Sequence, residues 1–135
     1  MKVRLVEISQ GTGGATVRYE CSLGVSSARW GDPSIEPVVG NDYFIEFTFL
    51  DPIRLGENAS VLPRPARATV SVCDSRAQVD GLVEEIDEDG IIALRLAPDC
   101  LALIESHPGV LEKGTWLRLR FPASRIELFA IGRGC

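Results

Sequence analysis

Three side chains near the carboxyl end of the chain have the chemistry to bind an anion or a nucleic-acid base. Trp116, Arg118 and Arg120 alternate along one segment, so in an extended strand they project from the same face. An indole flanked by guanidinium groups stacks on a base or holds an anion, and Arg125 extends this candidate ligand site. The structural alternative is that Trp116 packs beneath the N-terminal hairpin and the arginines pair with the acidic run at 84–89.

A second candidate is the acidic cluster between Glu84 and Asp89. Such a cluster presents a negative surface to a basic protein partner or holds a hard cation. Its spacing matches no calcium-binding loop, and hairpin tips are often charged simply because charge keeps them hydrated and opposes edge pairing. We therefore predict no metal here. The residues assigned to a partner-binding surface are Glu85, Asp87, Glu88, Asp89 and, in a separate segment, Trp30.

No residues are arranged for catalysis in the sequence. His107 has no cysteine or serine near it, whereas a catalytic triad needs a positioned nucleophile. The glycine-rich segment 11–14 leads into a strand, without the Lys-Ser/Thr ending and the helix of a phosphate loop. The cysteines at 21, 73, 100 and 135 form no Cys-x-x-Cys pair, so we predict free thiols, with Cys135 the most exposed. We predict a binding protein without catalysis, cofactor or metal.

Composition and charge narrow the class of partner. The chain has 135 residues, of which 45% are hydrophobic and 24% charged, as expected for one globular domain. Its net charge of −5 disfavours nucleic acid as a partner, because phosphates are repelled at long range. The chain opens on an alternating strand and has no apolar run near the roughly 20 residues that cross a bilayer. We therefore expect a cytoplasmic protein without membrane contact.

Period-2 alternation predicts strands along most of the chain. Segments 2–9 and 15–23 form a predicted N-terminal hairpin, and Tyr43, Ile45, Phe47 and Phe49 predict a buried aromatic strand. Glycine, serine and proline make 24–41 a predicted long loop and 53–66 an irregular segment. Further strands are predicted at 68–73, 115–121 and 126–131. Segment 100–105 suits a strand or a short helix, and we favour the strand.

The segment 81–96 predicts a hairpin whose register depends on its turn. A two-residue loop at Asp89-Gly90 would divide the apolar residues between both faces. A three-residue loop with Gly90 in the left-handed conformation gathers most of them on one face, so we favour it. Glu84 is then the misfit, and we expect it at a barrel mouth or beside an arginine such as Arg118 or Arg120. The longer loop opposes Ile86 to Ile92, Glu84 to Leu94 and Leu82 to Leu96.

About eight or nine strands with little helix predict an all-β fold, and we expect a small antiparallel β-barrel. In this prediction residues 1–135 form a single domain, 42–131 supply the barrel, and 1–23 form an additional N-terminal hairpin. Whether that hairpin belongs to the barrel is left open. The barrel interior is predicted to contain Tyr43, Phe47, Leu94 and Leu119.

The span 81–131 resembles the carboxyl half of an OB-type barrel, and especially the TOBE and molybdate-binding families. The resemblance is carried by Gly81-Leu82-Val83, Asp89-Gly90 and the strands 114–119 and 122–128. It implies a fold more than a chemistry. Oxyanion-binding members use a Thr-x-x-Ser segment, and the corresponding Ala97-Pro98-Asp99-Cys100 has no hydroxyl group. The chain is also similar to small bacterial all-β proteins to which no function is assigned.

The resulting functional hypothesis is a bacterial protein-interaction module. An immunity-type protein, which neutralises a toxin by covering its basic surface, fits the small size and negative charge. The alternative is an OB-type barrel that binds an oligonucleotide or a small anion through Trp116, Arg118, Arg120 and Arg125. An enzyme with a site assembled only in three dimensions is the third and least favoured class.

Overall fold

The computed structural model describes residues 1–64, 66–107 and 111–133. This part of the chain forms eleven strands and one 3₁₀ turn, Ala123–Arg125. The strands are β1 (Lys2–Gly11), β2 (Gly14–Cys21), β3 (Gly24–Trp30), β4 (Asp42–Phe49), β5 (Ala59–Leu62), β6 (Thr69–Cys73), β7 (Arg76–Ile86), β8 (Ile91–Ala97), β9 (Cys100–Glu105), β10 (Trp116–Phe121) and β11 (Ile126–Arg133). Within these described ranges no helix is long and apolar enough to cross a membrane.

Five of the strands close into a barrel. β1 pairs with β2 and β4, β2 with β3, and β11 with both β4 and β3, which completes the ring. All these pairs are antiparallel except β3–β11, which is parallel. The all-β barrel prediction is confirmed, and the ring is compatible with an OB-like fold. The N-terminal hairpin supplies two strands of this ring, which answers the question that the sequence left open.

The barrel interior is filled by the alternating residues of β2 and β4. Val17 and Tyr19 point inward from β2, and on β4 every second residue from Tyr43 to Phe49 is buried. The Tyr19 and Phe47 rings lie 6.0 Å apart. Burial of Tyr43 and Phe47 was predicted, and it is confirmed. The alternation places one wall of each strand in the core and the other in water.

The strands between β4 and β11 lie outside the ring, in an extension of the same sheet that begins at the single parallel bridge of β3 with β6; we call this extension the second sheet. β6, β7, β10 and β5 pair in that order, and β8 and β9 continue from the second half of β7. Of the predicted barrel segment 42–131, only β4 and β11 therefore lie in the ring. Alternation determines which side of a strand is buried, but it does not determine which strand lies beside it.

The second sheet packs on the barrel through one continuous core. Phe49 of β4 meets Phe121 of β10 edge to face at 5.5 Å. Leu94 and Leu119 are fully buried, as predicted, although they lie on the second sheet and not on a barrel strand. A β-carbon added at Gly81 of β7 would come within 2.8 Å of the Leu94 and Leu96 side chains of β8. Glycine at this position therefore lets both leucines keep their places in the core.

Two segments predicted as irregular contain strands. Segment 24–30 of the predicted loop is β3, whose inward residues are Ser26, Ala28 and Trp30. Serine and alanine differ little in hydrophobicity from their neighbours, so the alternation typical of a strand is hard to see in this segment. In the structure the buried Ser26 hydroxyl is satisfied, because it donates to the Ser71 carbonyl at 2.7 Å. Within 53–66, the four residues of β5 pair with β10, an arrangement set by a partner distant in sequence.

The β7–β8 hairpin confirms the predicted turn and corrects the register beyond it. Ile86 opposes Ile92 and Gly90 has φ of 85°, as the longer loop requires. A bulge between Val83 and Glu85 then shifts the pairing, so Leu94 opposes Val83 and not Glu84. The same shift puts Leu82 opposite Arg95 and not Leu96. Segment 100–105 is a strand, as favoured. Cys135, predicted to be the most exposed cysteine, lies outside the described residues.

Candidate functional site

The outer face of β10 carries the predicted stripe. Trp116, Arg118 and Arg120 lie on the side of the strand away from the buried Leu117, Leu119 and Phe121. In the antiparallel register, Trp116 stands between Leu62 of β5 and Leu82 of β7. The structure therefore assembles an apolar row across three strands, with the indole at its centre.

An open trough surrounds the Trp116 indole. Its volume is about 700 Å³, and its lining consists of Arg64, Ala66, Leu82, Gly114 and Trp116. Arg64 closes one side, where its Nη2 donates to the Gly114 carbonyl at 2.6 Å. Trp116 is half-buried, so part of the ring remains accessible. We call this surface the Trp116 trough.

A smaller hollow of about 300 Å³ adjoins the Trp116 trough. Ala66 lines both, and Leu62, Arg67 and Arg118 line the second. Arg64 and Arg67 are exposed along the rim. The combined surface is an apolar floor with arginines at its border.

The arginines of the stripe are bonded to neighbours in the sheet. Arg118 grips Asp80 with two parallel hydrogen bonds of 3.0 Å, and the Thr69 hydroxyl donates to the same carboxylate at 3.1 Å. The hydrogen bond to Asp80 raises the pKa of Arg118, so its charge is secure. Arg120 donates to Gln78 at 2.9 Å. Their partners are thus Asp80 and Gln78, and not the acidic hairpin tip that the sequence suggested.

Arg125 lies apart from the stripe, at the 3₁₀ turn before β11. It donates to the Asp51 carboxylate at 2.8 and 3.0 Å and to the Leu50 carbonyl at 3.3 Å. These bonds join the start of β11 to the end of β4, and the hydrogen bond lowers the pKa of Asp51. The structure does not bring Arg125 into the Trp116 trough.

The acidic cluster lies at the exposed tip of the β7–β8 hairpin. Asp87 organises the turn, since its Oδ1 accepts from the backbone N–H groups of Asp89 and Ile91, both at 2.9 Å. Glu88 and Asp89 are exposed. Glu85 pairs with Lys113 at 2.9 Å, next to Gly114 of the trough. At Glu85 the acidic cluster therefore lies beside one end of the Trp116 trough.

Glu84 is separated from this cluster by the bulge. It pairs with Arg95 at 2.6 and 3.1 Å, and the hydrogen bond from Arg95 lowers the pKa of Glu84. The predicted position of Glu84 beside an arginine is confirmed, but the partner is Arg95 and not Arg118 or Arg120, because the bulge turns Glu84 toward β8. The pair sits at the far end of the row formed by Trp116 and Leu82.

Trp30 lies in the barrel core and does not offer its ring to a partner. It is 8% exposed, its ring meets Tyr43 edge to face at 5.1 Å, and its Nε1 donates to the Ile35 carbonyl at 2.7 Å. The Trp30 ring thus tethers the following loop to the barrel. This position supports a role for Trp30 in the core and not the predicted role in partner binding.

The groups with potential catalytic chemistry lie apart or are buried. Cys100 is 4% exposed, and burial raises the pKa of its thiol to about 11. Burial also raises the pKa of Cys21. His107 is exposed at the end of a described range. Across the described residues no group of three His, Cys, Asp or Glu side chains could hold a metal ion.

Another hollow, of about 550 Å³, lies beside the start of β1. Its lining combines apolar residues with charged side chains, among them Arg4, Asp42 and Asp99. Arg4 bonds Asp42 at 2.8 Å, and the terminal amine of Met1 lies 3.5 Å from Asp99. These charges neutralise one another and no aromatic ring is present in the described lining, so the Trp116 trough is the stronger candidate.

The sequence did not identify Leu62, Leu82, Arg64 and Arg67 as site residues. Leu82 looked like a core residue because the bulge was not foreseen, and Leu62 and the two arginines lie in or beside the proline-rich stretch predicted as irregular. A signal was present in Arg64 and Arg67, whose charges interrupt an otherwise apolar stretch.

No protein-family model, no curated protein and no solved structure matches the chain. The site must therefore be interpreted from its own geometry.

Proposed function

We propose that this protein binds a protein partner through the Trp116 trough and catalyses no reaction. The observation that carries the proposal is the half-buried Trp116 indole, set between Leu62 and Leu82 with Arg64 on the rim. Tryptophan and arginine dominate the binding energy of protein interfaces, especially where an aromatic ring lines a pocket. An open apolar trough beside such a ring suits a side chain inserted from a partner.

The bonding of the arginines favours a protein over an oligonucleotide or a small anion. Arg118 already has a bidentate carboxylate, and Arg120 is bonded to Gln78. An incoming phosphate would have to displace these partners, and the chain as a whole carries −5. The resemblance to TOBE and molybdate-binding families adds nothing to this site, since Ala97-Pro98-Asp99-Cys100 has no hydroxyl to offer an oxyanion.

The acidic tip adds a second element to the proposed surface. Glu85 lies beside the trough through its pair with Lys113, and Asp87, Glu88 and Asp89 continue the acidic surface from there to the hairpin tip. Negative groups at the border of an interface steer a basic partner and contribute more to association rate than to affinity. An immunity-type role in the bacterial cytoplasm is one form that such a module takes.

Selection from a phage library of random peptides tests the proposal. Enriched sequences are synthesised and titrated into the wild-type protein, Trp116→Ala and Phe129→Ala by calorimetry. Phe129 is an aromatic residue 45% exposed on β11, so it controls for loss of a surface ring. We expect Trp116→Ala to weaken binding at least about tenfold, as for an interface hot spot, and Phe129→Ala to leave it unchanged.

Two outcomes contradict the proposal. One is an affinity that is equal in Trp116→Ala and the wild type, with circular dichroism showing that both are folded. The other is a single-stranded thymidine oligomer that quenches tryptophan fluorescence at low salt while no peptide is enriched. The second outcome would favour the oligonucleotide alternative, because Trp30 is buried and Trp116 is the accessible reporter.

A further inference from the structure

The Trp116 trough borders an open sheet edge. β5 pairs with β10, and no strand among the described residues pairs with its other side. The Asn58 carbonyl accepts from the Arg120 N–H at 2.8 Å. Because backbone groups alternate in direction along a strand, those of Ser60 and Leu62 also point toward β10. Ala59 and Val61 then turn their backbone groups outward. The Gly56 N–H donates to the Ala59 carbonyl at 2.9 Å, so that carbonyl already has a partner. The open part of the edge is therefore at Val61.

The apolar core extends to this edge without cover. Val61 pairs with Leu117, so the two side chains share the core face of the sheet. Leu117 is fully buried, whereas Val61 is 57% exposed. An additional strand beside β5 would cover Val61 on this face and would lie against Leu62 and Trp116 on the other.

The charges at this edge select the chemistry of the added strand. Arg64 and Arg67 are exposed immediately after β5, at the rim of the trough. The segment that follows β5 therefore presents positive charge although the whole chain is negative. Carboxylates on a partner complement these guanidiniums, and bidentate pairing is open to them.

We propose that the partner of the Trp116 trough is an extended segment of another protein, alternating apolar and acidic residues, that pairs with β5 as an additional strand. This inference rests on the proposed function of the trough and adds the binding mode: the acidic segment pairs with β5, and the basic groups that the acidic cluster would steer lie elsewhere on the same partner. Main-chain hydrogen bonds to Val61 supply affinity, and alternate side chains of the added strand contact the two faces of the sheet beside β5. Pro63, the next residue with outward backbone groups, has no N–H, so the donors for this pairing end at Val61 and the contact is short.

A designed peptide tests the inference. The probe is a short synthetic peptide that alternates valine and glutamate around a central phenylalanine, with blocked termini. Its binding is followed by calorimetry and by the fluorescence of Trp116. Two matched peptides accompany it: one has alternate backbone nitrogens methylated, which removes the strand's donors, and one has lysine in place of glutamate.

The protein variants are Val61→Asp and Val72→Asp. Val72 is also a strand valine with a large exposed fraction, 46%, but it lies on β6, away from the trough. We expect binding of the probe to weaken at least tenfold with the methylated peptide, the lysine peptide and Val61→Asp, and to persist in Val72→Asp. Circular dichroism of both variants verifies that each is folded.

The outcomes separate this inference from the proposal on which it rests. Equal binding of the methylated and unmethylated peptides, both weakened by Trp116→Ala, would overturn strand addition and retain the trough as a protein-binding site. Stronger binding of the lysine peptide would overturn the acidic partner. A trough that binds neither these peptides nor any sequence from the phage library would overturn both.

Discussion

Gly24 joins the barrel to the second sheet, and its replacement by alanine tests the description of that joint. Gly24 has φ of 137° and forms the parallel bridge of β3 with Val70 of β6. A β-carbon at Gly24 would collide with the Val70 carbonyl oxygen. Backbone atoms cannot move aside as a flexible side chain does. The Gly24→Ala variant must therefore strain the backbone at residue 24 and also separate β3 from β6.

The magnitude follows from these two effects. Forcing alanine into a conformation reserved for glycine costs about 1–3 kcal/mol. Separating the strands disturbs the bond from Val70 N–H to the Leu23 carbonyl at 3.1 Å and the Ser26–Ser71 bond at 2.7 Å, each contributing about 0.5–1.5 kcal/mol. The sum is roughly 2–6 kcal/mol, a large fraction of the roughly 5–15 kcal/mol that stabilises a domain.

Urea unfolding followed by circular dichroism measures this change, with two glycines as matched controls. Gly40 has φ of 88°, but a β-carbon added there would meet nothing within 4 Å, so Gly40→Ala carries strain without collision. Gly13 has neither feature, and Gly13→Ala should change stability by less than about 1 kcal/mol. If Gly24→Ala is no less stable than Gly40→Ala, the close approach of β3 and β6 is wrong.

Three further predictions concern the ion pairs, the Cys100 thiol and the contact of Gly81 with β8. Hydrogen bonds from Arg125 and Arg95 lower the pKa values of Asp51 and Glu84 below the ordinary 3.8 and 4.5. The two pairs therefore stabilise the fold fully at a pH above those ordinary values, and this stability is lost as the pH falls through the lowered pKa values. Arg95→Gln should flatten the acid limb of a stability–pH curve, and an unchanged limb would contradict the pairing. Cys100 should resist iodoacetamide at pH 8 until urea unfolds the protein, because burial raises the pKa of its thiol to about 11. Peptide mass spectrometry measures the labelling, and rapid labelling of the native protein would show that the thiol is accessible. Gly81→Ala should lower the unfolding midpoint in urea by forcing Leu94 and Leu96 from their positions, and Leu94→Ala should cost less stability in the Gly81→Ala background than in the wild type. Additive losses would place the collision elsewhere.

The strand content could be predicted from alternation because half-buried strands show it directly. β4 carries aromatic and β-branched residues at every second position, and β10 separates three apolar residues from Trp116, Arg118 and Arg120. β3 was missed because Ser26 and Ala28 fill its inward positions. Those small residues fit where β3 lies between β2, β6 and β11, a crowding that only the assembled fold reveals.

The neighbours of the candidate site could not be predicted in the same way. Alternation placed Trp116 and Arg118 on one face, but the residues across from them depend on pairing with β5 and β7, many positions away. The sequence therefore offered the hairpin tip as the partner of Arg118, whereas register selects Asp80. A single bulge at Glu84 was enough to move Leu82 from the predicted core face to the trough.

This dependence on register bears on the function itself. The arginines of β10 looked available for phosphate as long as their cross-strand neighbours were unknown, and Asp80, 4% exposed, removes that availability from Arg118. Breaking a buried charge pair leaves an uncompensated carboxylate, so a phosphate would have to overcome that cost before it gained any binding energy. An apolar side chain entering beside Trp116 displaces no such partner. The same geometry that holds Arg118 in place thus makes the trough better suited to protein than to nucleic acid.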